Sequence, residues 1–358
     1  MQFDVSSPHV RPALVDWLGR HLPGASDIEV GALARPETGA SSETFVLPVS
    51  YRHGGKDVLE RLVVKVEVDD PAVYPQQVPG LDVEIDIQYR VMEGIARSEG
   101  APVAPRIAYE RDRNVLGNEF FVMRYVSGAV LSINPPYPQT GFFADAAPAQ
   151  RRQLIDDGLR RLAQLHAIDW NGVGLAWLVP PGERPSTSAQ LDRWIDYLER
   201  ELGEREHPLL REATTWLRAN QPVEEPVGFS WGDARPGNMI FDDYRCVCVT
   251  DFENASIAPP WLDLGWWLMF DRCSHEVPGA PRLEGEPSRE EQIEMYVAHA
   301  GRDVGDLFYH QVFAAFRYAA IVVRVMNRMS ARGQAPYRPD MWKDNPPVSC
   351  LEAFFEAA

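Results

Sequence analysis

The sequence predicts an α+β fold, with antiparallel strands gathered in its first third and helices in most of the remainder. Three observations carry this. Short runs rich in β-branched residues, Thr44 to Tyr51 and Leu62 to Val66, stand on either side of a turn at His53-Gly54-Gly55, the pattern of a hairpin. From residue 149 onward apolar residues recur at helical spacing instead, as in Ile155, Leu159, Leu162 and Ala163. Within that helical part, residues 229–253 place two more apolar runs around a polar turn, a second hairpin. With 358 residues and 45% hydrophobic content the chain can bury a sizeable core.

Taken in order, Ser7 and Pro8 begin a helix whose apolar face is Val10, Leu14, Trp17, Leu18 and Leu22, and Pro23-Gly24 stops it. Strands follow at Ile28 to Leu33 and Thr44 to Tyr51. Between them the small residues Gly39-Ala40-Ser41-Ser42 let backbone amides approach a phosphate closely, though one glycine makes a weak signal by itself. Lys65 lies inside the β-branched strand Leu62 to Val66. Burying an ammonium there without a partner costs several kcal/mol, and a triphosphate is such a partner. An edge-strand lysine facing water is the plainer alternative. A helix over Asp82 to Glu99 has Val83, Ile87, Val91 and Ile95 at spacing of four. Arg106 to Glu110 and Glu119 to Val126 are strands, Asn134 to Pro148 is an irregular stretch that either covers a cleft or packs, and residues 149–167 form a long amphipathic helix. His166 at its end is read as structural, satisfying backbone carbonyls. Two helices cover Leu191 to Leu217, with Trp194, Tyr197 and Trp216 assigned to the core; further helices run at Arg289 to Ala300 and Phe308 to Ser330, and the tail from Gly333 to Pro347 carries no pattern.

The chemistry concentrates in residues 229–253. Trp231-Gly232-Asp233 is followed by Asn238 five residues after the aspartate, and by Asp251-Phe252-Glu253 at the end of the next strand. An aspartate, an asparagine on a loop and a second aspartate after a strand are what phosphoryl transfer from a nucleotide needs. The first accepts the proton of the attacking hydroxyl; the asparagine and the second aspartate supply hard oxygen ligands for Mg²⁺. Alone, Ala234-Arg235-Pro236-Gly237-Asn238 would read as an ordinary turn. The downstream Asp251 and the upstream Lys65 set it apart.

At these residues the chain resembles the aminoglycoside phosphotransferase and choline kinase-like family, whose pattern is His-Gly-Asp-x4-Asn followed by Asp-Trp-Glu. It is most similar to the subgroup that includes the kinase-like domain of some acyl-CoA dehydrogenases, from about Gly39 to Phe270. The resemblance implies a two-lobed protein-kinase-like fold, with a nucleotide-binding lobe over 1–126 and a catalytic, acceptor-binding lobe over 127–358. It implies ATP and Mg²⁺ as cofactors. Asp233 is then the base, Arg235 faces the transferred phosphate, and Asn238 and Asp251 hold the metal. Lys65 and the Gly39, Ser41 and Ser42 turn take the phosphates, and the hinge containing Met123 and Tyr125 meets the adenine. The family's helix glutamate falls at Gln88, with Glu84 one turn earlier; either Glu84 substitutes or a neutral amide holds the lysine. Trp231 replaces the family's histidine, and an indole can pack there while donating one hydrogen bond. Asp263, in Trp261-Leu262-Asp263-Leu264-Gly265, is expected to buttress the catalytic loop.

Composition narrows the partners. Thirty-five basic against 52 acidic residues give a net charge of −17, which argues against nucleic acid and anionic membrane. No apolar run is long enough to span a bilayer. The first residues lack a secretion signal and the four cysteines read as reduced, packed thiols, both pointing to the cytoplasm. Cys246 and Cys248, two apart on a strand, share one face. Walker, Rossmann, zinc-protease and hydrolase motifs are absent from the sequence. The expected function is therefore Mg-ATP-dependent O-phosphotransfer to a small-molecule hydroxyl. Aminoglycosides come first as acceptors, with macrolides, choline-like amines and hydroxyacyl thioesters also open. A catalytically idle nucleotide-binding regulator is the alternative, motivated by Gln88 and Trp231.

Overall fold

The computed structural model describes residues 5, 7–35, 43–70, 72–98, 100–334 and 338–356. Helix α1 (Val10–His21) leads into strands β1 (Ala25–Val30), β2 (Glu43–His53) and β3 (Lys56–Val66). Helix α2 (Glu84–Ala96) separates these from β4 (Arg106–Glu110) and β5 (Phe120–Arg124). The five strands form one antiparallel sheet in the order β1-β2-β3-β5-β4. The first strand lies a few residues earlier than its apolar pattern suggests, because pairing with Arg52 and His53 extends it back to Ala25.

Alternation along the strands decides which way the chemistry points. Phe45, Leu47 and Val49 of β2, Leu62, Val64 and Val66 of β3, and Phe120 and Val122 of β5 share one face, and Val10, Leu14, Trp17 and Leu18 of α1 cover it as a small core of their own. Lys65, one position out of phase, faces the opposite way, toward α2 and the helical part. Phe121 takes that side too and joins the main core.

The helical part contains α3 (Gly141–Ala144), α4 (Pro148–His166), α5 (Thr187–Leu202) and α6 (Pro208–Ala219). After four short strands, described next, come α7 (Trp261–His275), α8 (Arg289–Ala300), α9 (Phe308–Ala331) and α10 (Pro346–Glu356). The 134–148 stretch is packed cover: Tyr137 and Phe143 are buried and meet edge to face at 4.8 Å between centroids. Trp194 and Tyr197 lie in the core as expected, and α10 had no counterpart in the sequence reading. No helix among the described residues is long and apolar enough to cross a membrane.

The single hairpin expected at 229–253 is two nested ribbons. Strands β6 (Gly228–Ser230) and β9 (Ser256–Ala258) pair outside, and β7 (Met239–Asp242) and β8 (Arg245–Val249) pair inside. The inner turn has Asp243 and Tyr244 both at positive φ, 45° and 58°, the geometry whose twist suits a two-residue hairpin. Nesting puts two loops, one on each side of the inner hairpin, next to each other. Cys246 and Cys248 are both buried on one face of β8, and burial pushes each thiol up to about 12.

Candidate active site

Lys65 is buried, and its ammonium spans the two parts of the fold. Its Nζ donates to Gln88 Oε1 on α2 at 2.7 Å and to Asp251 Oδ1 at 2.9 Å. Burial works against the charge, but Asp251, Glu253 and Glu84 outweigh it and hold the pKa above the ordinary lysine value. The edge-strand alternative is thus excluded, since β3 lies inside the sheet between β2 and β5. Glu84 does not pair directly with Lys65: its Oε1 accepts the Val73 backbone N–H, and the amide of Gln88 takes the lysine instead.

The loop after β6 carries Asp233, only 4% exposed. Its Oδ1 accepts Arg235 Nε at 3.0 Å and Trp266 Nε1 at 2.8 Å; its Oδ2 accepts Asn238 Nδ2 at 2.6 Å and the Tyr74 hydroxyl at 3.1 Å. Burial would raise the pKa of this carboxyl, but the Arg235 guanidinium and the hydrogen bonds from Arg235, Asn238 and Trp266 prevail and keep it below the usual carboxylate value. Arg235 is not a solvated surface residue. It is mostly buried, ion-paired with Asp233 and stacked over Phe270 at 5.3 Å.

Asp263 fixes this loop from below. Its carboxylate, 0% exposed, accepts the Trp231 N–H at 2.6 Å, the Gly232 N–H at 2.9 Å and the Ser230 hydroxyl at 3.0 Å. His166 Nε2 lies 3.1 Å from the same carboxylate, with Tyr296 on its Nδ1. That histidine is structural as expected, but through side chains rather than backbone carbonyls. On the other side Arg317 of α9 donates to the Gly232 carbonyl at 2.9 Å; burial depresses this guanidinium to about 10. Gly232 has φ +88°, and a Cβ there would sit 2.2 Å from the Asn254 carbonyl oxygen. Gly232→Ala should therefore cost more than about 2 kcal/mol in urea unfolding, combining left-handed strain with a backbone clash.

Asp251 sits at the other loop with φ 58°, a left-handed conformation that aspartate tolerates better than most residues. The Trp231 indole bridges the two loops, donating to the Thr250 and Asp251 carbonyls at 2.9 and 3.0 Å. The tryptophan therefore acts as a tie as well as packing. One carboxylate oxygen of Asp251 is engaged by Lys65, and the side chain is part-exposed to the cleft. Asn238 uses its amide nitrogen on Asp233, so its oxygen is what it can offer to a cation. Close by, Glu253 is buried with Oε2 unpartnered. The donor set of Asn238 and Asp251 oxygens, with an orphaned carboxylate oxygen beside it, fits a hard divalent ion.

Glu253 makes the apo site pH-sensitive. Burial first, then the Asp251 charge, pushes it up to about 8 from an ordinary 4.5. The folded state then holds a proton that the unfolded chain has released, so stability falls as pH rises between 4.5 and 8. The slope is at most about 1.4 kcal/mol per pH unit. Glu253→Gln should flatten it in apo-protein urea midpoints taken from pH 5 to 8.5; parallel curves would sink this assignment.

Of the other expected positions, Gly39, Ser41 and Ser42 lie outside the described residues. Met123 pairs with Val63 in the sheet. Tyr125 follows, its N–H given to the Arg61 carbonyl at 3.1 Å and its ring under the Arg61 guanidinium at 3.8 Å. That amide is already used, so an adenine at this edge would need other backbone groups of the segment. The sequence reading assigned no role to Glu253, Tyr74, Trp266 or Arg317, which all reach Lys65 or the Asp233 loop. Glu253 had a signal, as the third residue of Asp251-Phe252-Glu253; Tyr74, in a loop before Pro75, had none.

The model of the phosphotransferase enzyme family matches residues 47–307. The chain belongs to that family. The chain is 25% identical over 312 residues to a protein named as an acyl-CoA dehydrogenase, IBR3, of Arabidopsis thaliana, covering 81% of this chain and 35% of that protein. It is 28% identical over 267 residues to acyl-CoA dehydrogenase family member 11 of Gallus gallus, covering 72% and 30%. It thus spans about a third of the length of these relatives. A solved candidate aminoglycoside phosphotransferase from Ralstonia eutropha JMP134 superposes with a TM-score of 0.71 at 23% identity, covering 99% and 98% of the two chains. A thermostable mutant of aminoglycoside phosphotransferase APH(4)-Ia, solved with ADP and hygromycin B, gives 0.59 at 11%, covering 98% of each. These likenesses establish the two-part phosphotransferase fold: a five-stranded antiparallel sheet followed by a helical remainder.

Proposed function

We propose that the chain is a Mg-ATP-dependent O-phosphotransferase that acts on a hydroxyl of a small molecule. The observation that carries this is the 2.9 Å contact between Lys65 of the sheet and Asp251 of the helical part, with Asp233 and Asn238 in the adjoining loop. A lysine and carboxylate brought together across a cleft, beside a buried aspartate, suit a nucleotide triphosphate with its metal. Lys65 takes the phosphates, and Asn238 and Asp251 hold Mg²⁺, which when bound neutralises charge on the transferred group. Asp233 orients the acceptor hydroxyl and receives its proton. Its pKa lies low, so it is ionised and ready to accept at neutral pH. The Arg235 donors not used on Asp233 are available to phosphate oxygens in the transition state.

Residues 1–126 form the nucleotide-binding lobe in this reading, and residues 127–358 the catalytic lobe that receives the acceptor. The neighbours' hygromycin B complex puts aminoglycosides among the acceptors to try, and the acyl-CoA dehydrogenase relatives do the same for hydroxyacyl thioesters. The deciding experiment is ³²P transfer from labelled ATP across a panel of aminoglycosides, macrolides, choline-like amines and hydroxyacyl thioesters. Gln88 in the lysine-holding position favours a second reading, a nucleotide-binding regulator without turnover. Transfer to none of the panel, with nucleotide bound, would select it.

A further inference from the structure

Asp233 has no room for a substrate. A carboxylate offers about four lone-pair positions, and among the described residues four donors fill them: Arg235, Trp266, Asn238 and Tyr74. An acceptor hydroxyl can reach this base only if one donor leaves. Trp266 is buried in α7, Arg235 is ion-paired and stacked, and Asn238 is tied as well to the Asp233 backbone carbonyl at 3.0 Å. Tyr74 differs, because its hydroxyl is the one neutral O–H of the set, the same chemical group as an acceptor's. It comes from the segment between β3 and α2 rather than from the catalytic loop.

The backbone around Tyr74 is strapped down. Arg324 holds the Ala72 carbonyl at 3.0 Å, Glu84 and Tyr197 hold the two backbone groups of Val73, and Gln77 is tied to Asn254 and Gln190. Displacement must therefore come from side-chain rotation. Space exists for it: a cavity of about 550 Å³ lies against the ring, lined also by Gln77, Glu84, Arg200, Glu253 and Arg324. A destination exists as well, since Glu253 Oε2 in that lining is buried and unpartnered. One hydroxyl with two alternative carboxyl partners is a two-position element, and whatever competes for the first position shifts it to the second.

We propose that Tyr74 is a built-in stand-in for the acceptor hydroxyl, a gate that rests on Asp233 and that the acceptor displaces into the neighbouring cavity. This rests on the phosphotransferase reading above. Its function is to keep water from the base while the acceptor site is empty. Water admitted there would attack the γ-phosphorus of ATP, give its proton to Asp233, and break the bond to the leaving oxygen of ADP.

Acceptor-free ADP release from MgATP tests it, with water as the only acceptor. Tyr74→Phe keeps the ring and should raise this hydrolysis about 3- to 10-fold, the release of one hydrogen bond, with nucleotide affinity unchanged. Adding Asp233→Asn to that variant should abolish the gain. A packing role for the tyrosine would lower the rate or leave it alone. Equal hydrolysis by wild type and Tyr74→Phe, in a protein that still phosphorylates a panel acceptor, overturns the gate and spares the phosphotransferase. No hydrolysis and no transfer by either protein, with nucleotide bound, removes the phosphotransferase reading and the gate with it. An added 80 Da on Tyr74 in intact mass and peptide mapping would make it a substrate of the site, which also overturns the gate.

Discussion

Asp233→Asn is expected to lower turnover by about 10²–10⁴-fold, the scale of losing a general base, while nucleotide binding stays nearly intact. The substitution keeps the shape of the side chain and one carbonyl acceptor. What it removes is the charge that pairs with Arg235 at 3.0 Å and that, in the proposed reaction, receives the acceptor's proton. In the proposed reading the nucleotide is held on the other side of the cleft, by Lys65 and the Asp251 loop, so calorimetric titration with ADP and Mg²⁺ should see little change. Steady-state phosphorylation of whichever panel acceptor responds gives the turnover. A variant that keeps near-wild-type turnover would remove Asp233 from the base role.

The largest stability effect is expected at Asp263→Ala, about 3–5 kcal/mol in urea unfolding, the cost of leaving a buried charged network without one partner. The carboxylate serves the Trp231 and Gly232 amides and the Ser230 hydroxyl at once, beside His166, all in the interior. None of those donors has water to turn to, and each unsatisfied one costs about 1–3 kcal/mol. Asp263→Asn should fall between, since one amide oxygen remains as acceptor. Turnover should drop together with stability, because the same amides fix the Asp233 loop. A loss below about 1 kcal/mol would mean that the loop is held elsewhere, with Arg317 on the Gly232 carbonyl the next candidate.

These two expectations differ in how far the sequence alone supports them. Asp233 and Asn238 stand five residues apart in one loop, so their contact at 2.6 Å is local and spacing suffices to suggest it. Asp263 lies thirty residues on, yet the helix start after Pro259-Pro260 restricts where it can point, and its expected buttressing matches the hydrogen bonds. Tyr74 to Asp233 is a separation of 159 residues, and no pattern near a loop tyrosine announces such a partner. Gln88 and Glu84 show the same limit at shorter range. Both lie on the buried side of α2, and which one meets Lys65 depends on the placing of that helix against β3.

By itself, then, the sequence determined the strand-then-helix order, the lysine within the β-branched strand, and the local Asp-Asn-Asp set, because period and spacing are properties of neighbouring residues, while the sheet order decided that Lys65 faces inward. The tertiary structure alone decided the nested ribbons at 229–258, the choice of Gln88 over Glu84, the burial of Arg235 against Asp233, the unpartnered oxygen of Glu253 and the tyrosine on Asp233. Each depends on how far-apart segments are brought together, and the desolvation and hydrogen-bond competition that settle such contacts exist only once the chain has closed around them.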